Sequence, residues 1–156
     1  MKILFVCTGN TCRSPLAEAI ARKVIIERGL ADVEVGSAGV SAYEGGSASD
    51  GALLVAIEGR VDVANHRSRQ LTRELVAESD LVLGMGPQHV AVAESLGGAG
   101  KSFLLAEYAS HGASTRSVSD PFGGDLEVYR ATYEELEQEI RRALDRAVAE
   151  QAPDRT

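Results

Sequence analysis

The sequence predicts an α/β protein, a parallel β-sheet covered on both faces by helices. Three observations carry that expectation. Short β-rich runs alternate along the chain with segments of helical period, Asp80–Met85 reads as a near-continuous apolar strand, and the first run leads through a Gly-Asn turn directly into a helix start.

Lys2–Val6 is the first strand, and Gly9-Asn10 followed by Ser14-Pro15 reads as a turn and then the opening of a helix. Leu16, Ile20 and Val24 recur at helical spacing from there, and Gly29 supplies a stop. Val33–Ser37 alternates as a second strand and runs out at Ala38-Gly39 into a Gly- and Ser-rich loop reaching Ser49. Ala52–Glu58 reads as a helix, as does the segment around Thr72–Ala77 that introduces the buried strand Asp80–Met85. Pro87–Leu96 follows as a helix and Ser102–Leu105 as the fourth strand. His111–Ser119 is polar and poor in apolar residues, hence a loop. Tyr129, Tyr133, Leu136, Ile140, Leu144 and Val148 then form one stripe of a long terminal helix. With no internal repeat and no linker, residues 1–150 are expected to form a single domain and 151–156 a frayed end.

At 156 residues the chain is long enough to bury a substantial core. Its formal net charge of −7 argues against broad nucleic-acid binding and against docking on an anionic membrane, so any anion site has to be local. The apolar run Ile3–Val6 is too short for a signal-peptide core and no later stretch approaches a membrane span, which makes the cytoplasm the expected compartment. Cys7 and Cys12 are the only cysteines. They stand too close together to staple a fold usefully, so chemistry is the better reading of them.

Cys7-Thr8-Gly9-Asn10-Thr11-Cys12-Arg13-Ser14 places a thiol at the end of a strand and an arginine at the start of the next helix. Backbone N–H groups in a tight loop form a nest, the helix N-terminus adds positive potential, and a guanidinium can grip two phosphate oxygens together. Gly9 and Asn10 tolerate the left-handed backbone such a curl needs. The same positive field favours the thiolate of Cys7, the nucleophilic form, and Ser14 is placed to donate a hydrogen bond to it. A phosphocysteine intermediate needs an acid for the leaving atom and then a base for water. The blander reading of Cys7, a core cysteine at a strand end, does not account for the Gly-Asn turn and the Ser-Pro helix start around it.

This segment, with Pro15, resembles the signature of the low molecular weight protein-tyrosine phosphatase family. Ser37-Ala38-Gly39, Asn65-His66-Arg67-Ser68-Arg69 and Asp120-Pro121 fall where that family has matching segments. The resemblance spans nearly the whole chain and implies a four-stranded parallel sheet of order 2-1-3-4 and catalysis without metal or cofactor. Cys7 is then the nucleophile, Arg13 the phosphate clamp and Asp120 the acid and later the base, with Thr8 to Ser14 forming the phosphate-binding loop. Read without the family, an Asp before Pro is more often a turn former than a catalyst. His66 corresponds to a histidine that supports the loop from behind, and Tyr43 and Phe122 stand where a pocket rim can sandwich a flat group, the alternative being ordinary core or surface aromatics. Cys12 is placed either to trap an oxidised Cys7 as a disulfide or to fill the underside of the loop as a small buried residue.

Thr11, and Phe122-Gly123 after the Asp-Pro pair, resemble the bacterial protein-arginine phosphatase branch more closely than the phosphotyrosine branch, which implies phosphoarginine as substrate ahead of phosphotyrosine. The expected partners are phosphorylated proteins, with inorganic phosphate as product and inhibitor. Two rivals rank lower. Arsenate reduction lacks any relay thiol beyond residue 12, and a module that only binds phosphate would need neither thiol nor acid. Gly97-Gly-Ala-Gly-Lys101-Ser102 fails as a nucleotide loop, because Ser95 stands where its first glycine belongs and the order is helix, loop, strand. His66, His89 and His111 show no metal-ligand spacing.

Overall fold

The computed structural model describes residues 1–151, and the expected frayed end lies outside them from residue 152 onward. Four strands, β1 (Lys2–Cys7), β2 (Glu34–Gly39), β3 (Leu81–Gly84) and β4 (Ser102–Leu104), pair in parallel in the order β2-β1-β3-β4. That is the predicted sheet. β1 is central and flanked on both sides, so its side chains alternate between two cores. Ile3 and Phe5 join one, while Leu4 and Val6 join the other.

The larger core lies under α1 (Arg13–Arg28), α2 (Asp50–Glu58), α5 (Leu105–Ala109) and α6 (Leu126–Gln151). Leu16, Ile20 and Val24 of α1 are fully buried there against Tyr129, Leu136, Ile140 and Leu144 of α6. The smaller core gathers Val76 of α3 (Arg73–Glu78) and Ala93 of α4 (Pro87–Ala93) on the opposite face. Ser49 caps α2 by accepting the Ala52 N–H, and Thr72 caps α3 by accepting the Leu75 N–H. Those caps start both helices at or before the first apolar residue of their stripes.

Several boundaries shift by a residue or two from the sequence reading, and three of the differences have a physical reason. β2 runs on to Gly39 because its ladder with β1 continues to the pair Cys7 and Gly39. The helix expected over Pro87–Leu96 stops at Ala93 and continues as a wider turn, Glu94–Gly98, in which Gly97 has φ 103°. Leu105, expected to close β4, instead opens the short helix α5, whose apolar residues are too few to reveal a period. Lys101, in the segment resembling a nucleotide loop, spends its ammonium on the Val76 and Ser79 carbonyls at the end of α3, at 2.7 and 2.8 Å. Among the described residues no helix is long and apolar enough to cross a membrane.

Candidate active site

β1 delivers Cys7 to the carboxyl edge of the sheet, and α1 begins six residues later at Arg13. Between them the chain curls, with Asn10 in the left-handed region at φ 56°. The carbonyls of the curl are bound outside it. The Val40 N–H donates to the Cys7 carbonyl at 3.0 Å, Ser41 N–H to Thr8 at 2.9 Å, and Ser49 N–H to Thr11 at 2.9 Å. His66 Nε2 donates to the Asn10 carbonyl at 2.7 Å. The N–H groups of Gly9 to Cys12 meet no acceptor among the described residues. A ring with its carbonyls turned out and its N–H groups left over is an anion nest at a helix N-terminus.

The curl fits because of Gly39. A Cβ there would lie 2.5 Å from the Thr8 carbonyl oxygen and 2.9 Å from the Asn10 nitrogen, so any side chain would push the loop off the end of β2.

Behind the thiol runs a chain of buried polar side chains. Cys7 Sγ lies 2.8 Å from Ser14 Oγ, Asn10 Nδ2 donates to Ser14 Oγ at 2.8 Å and to Ser37 Oγ at 3.0 Å, and Ser37 donates to a Glu18 carboxylate oxygen at 2.7 Å. The Arg69 N–H donates to Asn10 Oδ1 at 3.0 Å. With the Asn10 amide protons committed to two hydroxyls and the Ser37 proton to Glu18, the Ser14 proton has two acceptors, the sulfur at 2.8 Å and the Ala38 carbonyl at 3.5 Å, and the sulfur is the nearer. A thiolate accepting it is stabilised by a donor already in place.

Arg13 is buried and anchored from the far end of the chain. Nη1 donates to the Val118 carbonyl at 3.0 Å and Nη2 lies 3.6 Å from Asp120 Oδ2. Asp120 is 52% exposed, and its Oδ1 accepts the Phe122 N–H at 3.0 Å across Pro121. Cys7, Arg13 and Asp120 thus lie together at one end of the sheet. Thr11 is half-buried on the loop, with its hydroxyl 3.8 Å from Cys12 Sγ. Cys12 is buried on the underside, 3.2 Å from Ser49 Oγ and 3.4 Å from the Tyr129 hydroxyl. Burial, foremost, pushes that phenol up from its ordinary value of 10.0. Tyr43 and Phe122 are 90% and 74% exposed and pack into neither core.

Sequence reasoning missed His89, Glu18 and the Val118 carbonyl. His89 is completely buried, 2.9 Å from the Thr8 hydroxyl. No motif signals these residues. Glu18 sits on the α1 face next to Ser14, one turn on, which is the only hint its spacing offers.

A thiol over a phosphate nest, closed by a buried arginine and faced by a carboxyl, defines the class of phosphatases that work through a cysteine. Comparison with known families agrees: residues 2–153 match the low molecular weight phosphotyrosine protein phosphatase family, and the chain belongs to it. Within the family it is 45% identical to the protein-arginine-phosphatase of Bacillus subtilis, over 90% of this chain and 93% of that one. It is 36% identical to the low molecular weight protein-tyrosine-phosphatase PtpB of Staphylococcus haemolyticus, over 87% and 92% of the two chains. Among solved structures, the YwlE arginine phosphatase C7S mutant with phosphorylated active site serine superposes with a TM-score of 0.90 at 40% identity, covering 97% of this chain and 98% of that one.

Proposed function

We infer that this enzyme is a protein phosphatase whose preferred substrate is the phosphorylated arginine side chain. The observation that carries the reading is the nest of free N–H groups between Cys7 and Arg13, with the Ser14 hydroxyl against the sulfur. In this reading Thr8, Gly9, Asn10, Thr11, Cys12, Arg13 and Ser14 surround the phosphoryl group. The Cys7 thiolate attacks phosphorus, an S–P bond forms, and the P–N bond breaks as Asp120 gives its proton to the departing guanidine nitrogen. The Asp120 carboxylate then takes a proton from water, whose oxygen attacks phosphorus. Phosphate leaves, and the thiolate returns to the Ser14 hydrogen bond. Arg13, held by Val118, has donors to spare for two phosphate oxygens as negative charge spreads over them.

The preference for phosphoarginine is supported by the higher identity to protein-arginine-phosphatases and by Thr11, whose β-branched side chain and hydroxyl narrow the space beside the phosphoryl group. Exposed Tyr43 and Phe122 suit a rim that sandwiches a planar guanidinium. His66 holds the Asn10 carbonyl from behind, and Cys12 serves to trap an oxidised Cys7. The reading carries with it one catalytic unit over residues 1–150, a cytoplasmic enzyme, phosphorylated proteins as partners and inorganic phosphate as product and inhibitor. Phosphotyrosine is the second reading, favoured by the similarity to PtpB.

A side-by-side assay on phosphoarginine peptides, phosphotyrosine peptides and arsenate tests this. Phosphoarginine turnover is expected to exceed phosphotyrosine turnover, Thr11→Ile to narrow or reverse that gap, and Cys7→Ser to abolish both. Equal rates on the two peptides, unchanged by Thr11→Ile, would sink the preference. Thiol-dependent arsenate turnover of similar size would move the enzyme to another class.

A further inference from the structure

His89 belongs to no motif of the active site, yet it is buried directly beneath Thr8. Two hydrogen bonds settle which ring nitrogen carries its proton. The Gly86 N–H donates to Nδ1 at 2.9 Å, so Nδ1 is the bare nitrogen. A neutral ring then has its proton on Nε2, which faces the Thr8 hydroxyl at 2.9 Å. The imidazole donates and the threonine oxygen accepts. Burial, foremost, and the charge of Arg13 bring His89 down from 6.5 to about 4, against an opposite pull from Asp120, so the ring is uncharged near neutrality.

We propose that His89 is a positioning residue of the active site: it holds the Thr8 hydroxyl from beneath so that Thr8, exposed directly after Cys7, hydrogen-bonds the bound phosphorylated side chain. Thr8 is pinned twice, by His89 at its hydroxyl and by the Ser41 N–H at its carbonyl. With one lone pair taken by the imidazole, the hydroxyl keeps its own proton for a phosphoryl oxygen and a second lone pair for a substrate N–H. A contact fixed before the substrate arrives costs less ordering on binding than a free rotor would. A histidine that only filled the core would need no partner at the exposed edge of the loop. The inference rests on the phosphatase reading and adds to it a pair, Thr8 and His89, that links the substrate to the first turn of α4.

The test uses Thr8→Val, His89→Gln and the double variant, with kcat and KM measured on a phosphoarginine peptide. Thr8→Val is expected to raise KM about tenfold with kcat changed by less than about twofold, the pattern of a lost binding contact. His89→Gln is expected to move KM in the same direction, and the double variant to be no worse than Thr8→Val alone. An unchanged KM in Thr8→Val, or effects that multiply in the double variant, overturns the proposal. Thr8→Val alters an exposed side chain by a near-isostere, so it remains informative even where His89→Gln fails to fold. The ¹⁵N imidazole spectrum of the wild type supplies a readout that packing would not move. A protonated Nε2 and bare Nδ1, with the Nε2 signal shifting in Thr8→Val, support the pair; a proton on Nδ1, or a charged ring near neutrality, refutes it. Should the wild type turn over no phosphorylated substrate, the phosphatase reading fails, and the pair is judged instead on the Kd of the phosphoarginine peptide. The same tenfold weakening is expected there, and its absence overturns the proposal.

Discussion

The two oxygens of Asp120 do different work, since Oδ1 accepts the Phe122 N–H and Oδ2 faces Arg13 at 3.6 Å. Asp120→Asn keeps the turn and, on the proposed mechanism, removes the proton shuttle, so kcat on phosphoarginine peptides is expected to fall about 10²–10⁴-fold with KM little changed. Steady-state kinetics read this directly. A drop confined to KM would assign Asp120 to binding. The two thiols invite a second measurement: after mild peroxide, peptide mass spectrometry is expected to show a Cys7–Cys12 linkage, whereas sulfinic acid on Cys7 with Cys12 untouched would leave Cys12 a packing residue. At this scale the sequence is legible where neighbours in space are neighbours in the chain, as in Cys7, Asn10, Arg13 and Ser14. It is silent on His89 and Val118, whose partners Thr8 and Arg13 lie 81 and 105 positions away. Nothing local distinguishes a histidine that will meet a loop from one that will face solvent.

Helix α2 lies on α6 so closely that a Cβ at Gly51 would overlap the Tyr129 ring. Tyr129 is buried and its hydroxyl touches Ser49 and Cys12, so it has no free direction in which to yield. Gly51→Ala is therefore expected to destabilise the protein by about 1–3 kcal/mol in urea unfolding. Because Tyr129 backs the phosphate loop, the same variant is expected to lose activity beyond its loss of folded protein. Unaltered stability would mean that α2 can slide on α6. Helix and strand identities were readable for long periodic stretches such as α1 and α6. They failed at α5, where five residues carry too little pattern, and at Gly97, where a positive φ converts the end of a helix into a wider turn. The terminal stripe held from Tyr129 to Val148 because one face of α6 meets α1, α2 and α5 together.

Burial of His89 makes the stability of the whole fold fall with acid. His89 falls from 6.5 to about 4 on folding, so between those values the unfolded chain binds the extra proton. Its contribution is intact above about 6.5 and is lost as pH falls toward 4, by up to about 3 kcal/mol. Urea midpoints measured across that window are expected to drop with acid, and His89→Gln to flatten the drop; an equal slope in both proteins would locate the acid sensitivity elsewhere. The sheet order and the two-faced core follow from β1 being apolar on both sides, a property already visible in Ile3 to Val6. What no stretch of sequence contains is the closure of the site, because Arg13 is latched by Val118 and faced by Asp120 only after the rest of the sheet is built between them. Synthesis makes Cys7 and Arg13 well before Val118 and Asp120. A fragment ending before Val118 keeps the thiol and the arginine but loses both groups that hold and face that arginine, so on the proposed mechanism it is expected to turn over no phosphorylated substrate, however well its first strands and helices form.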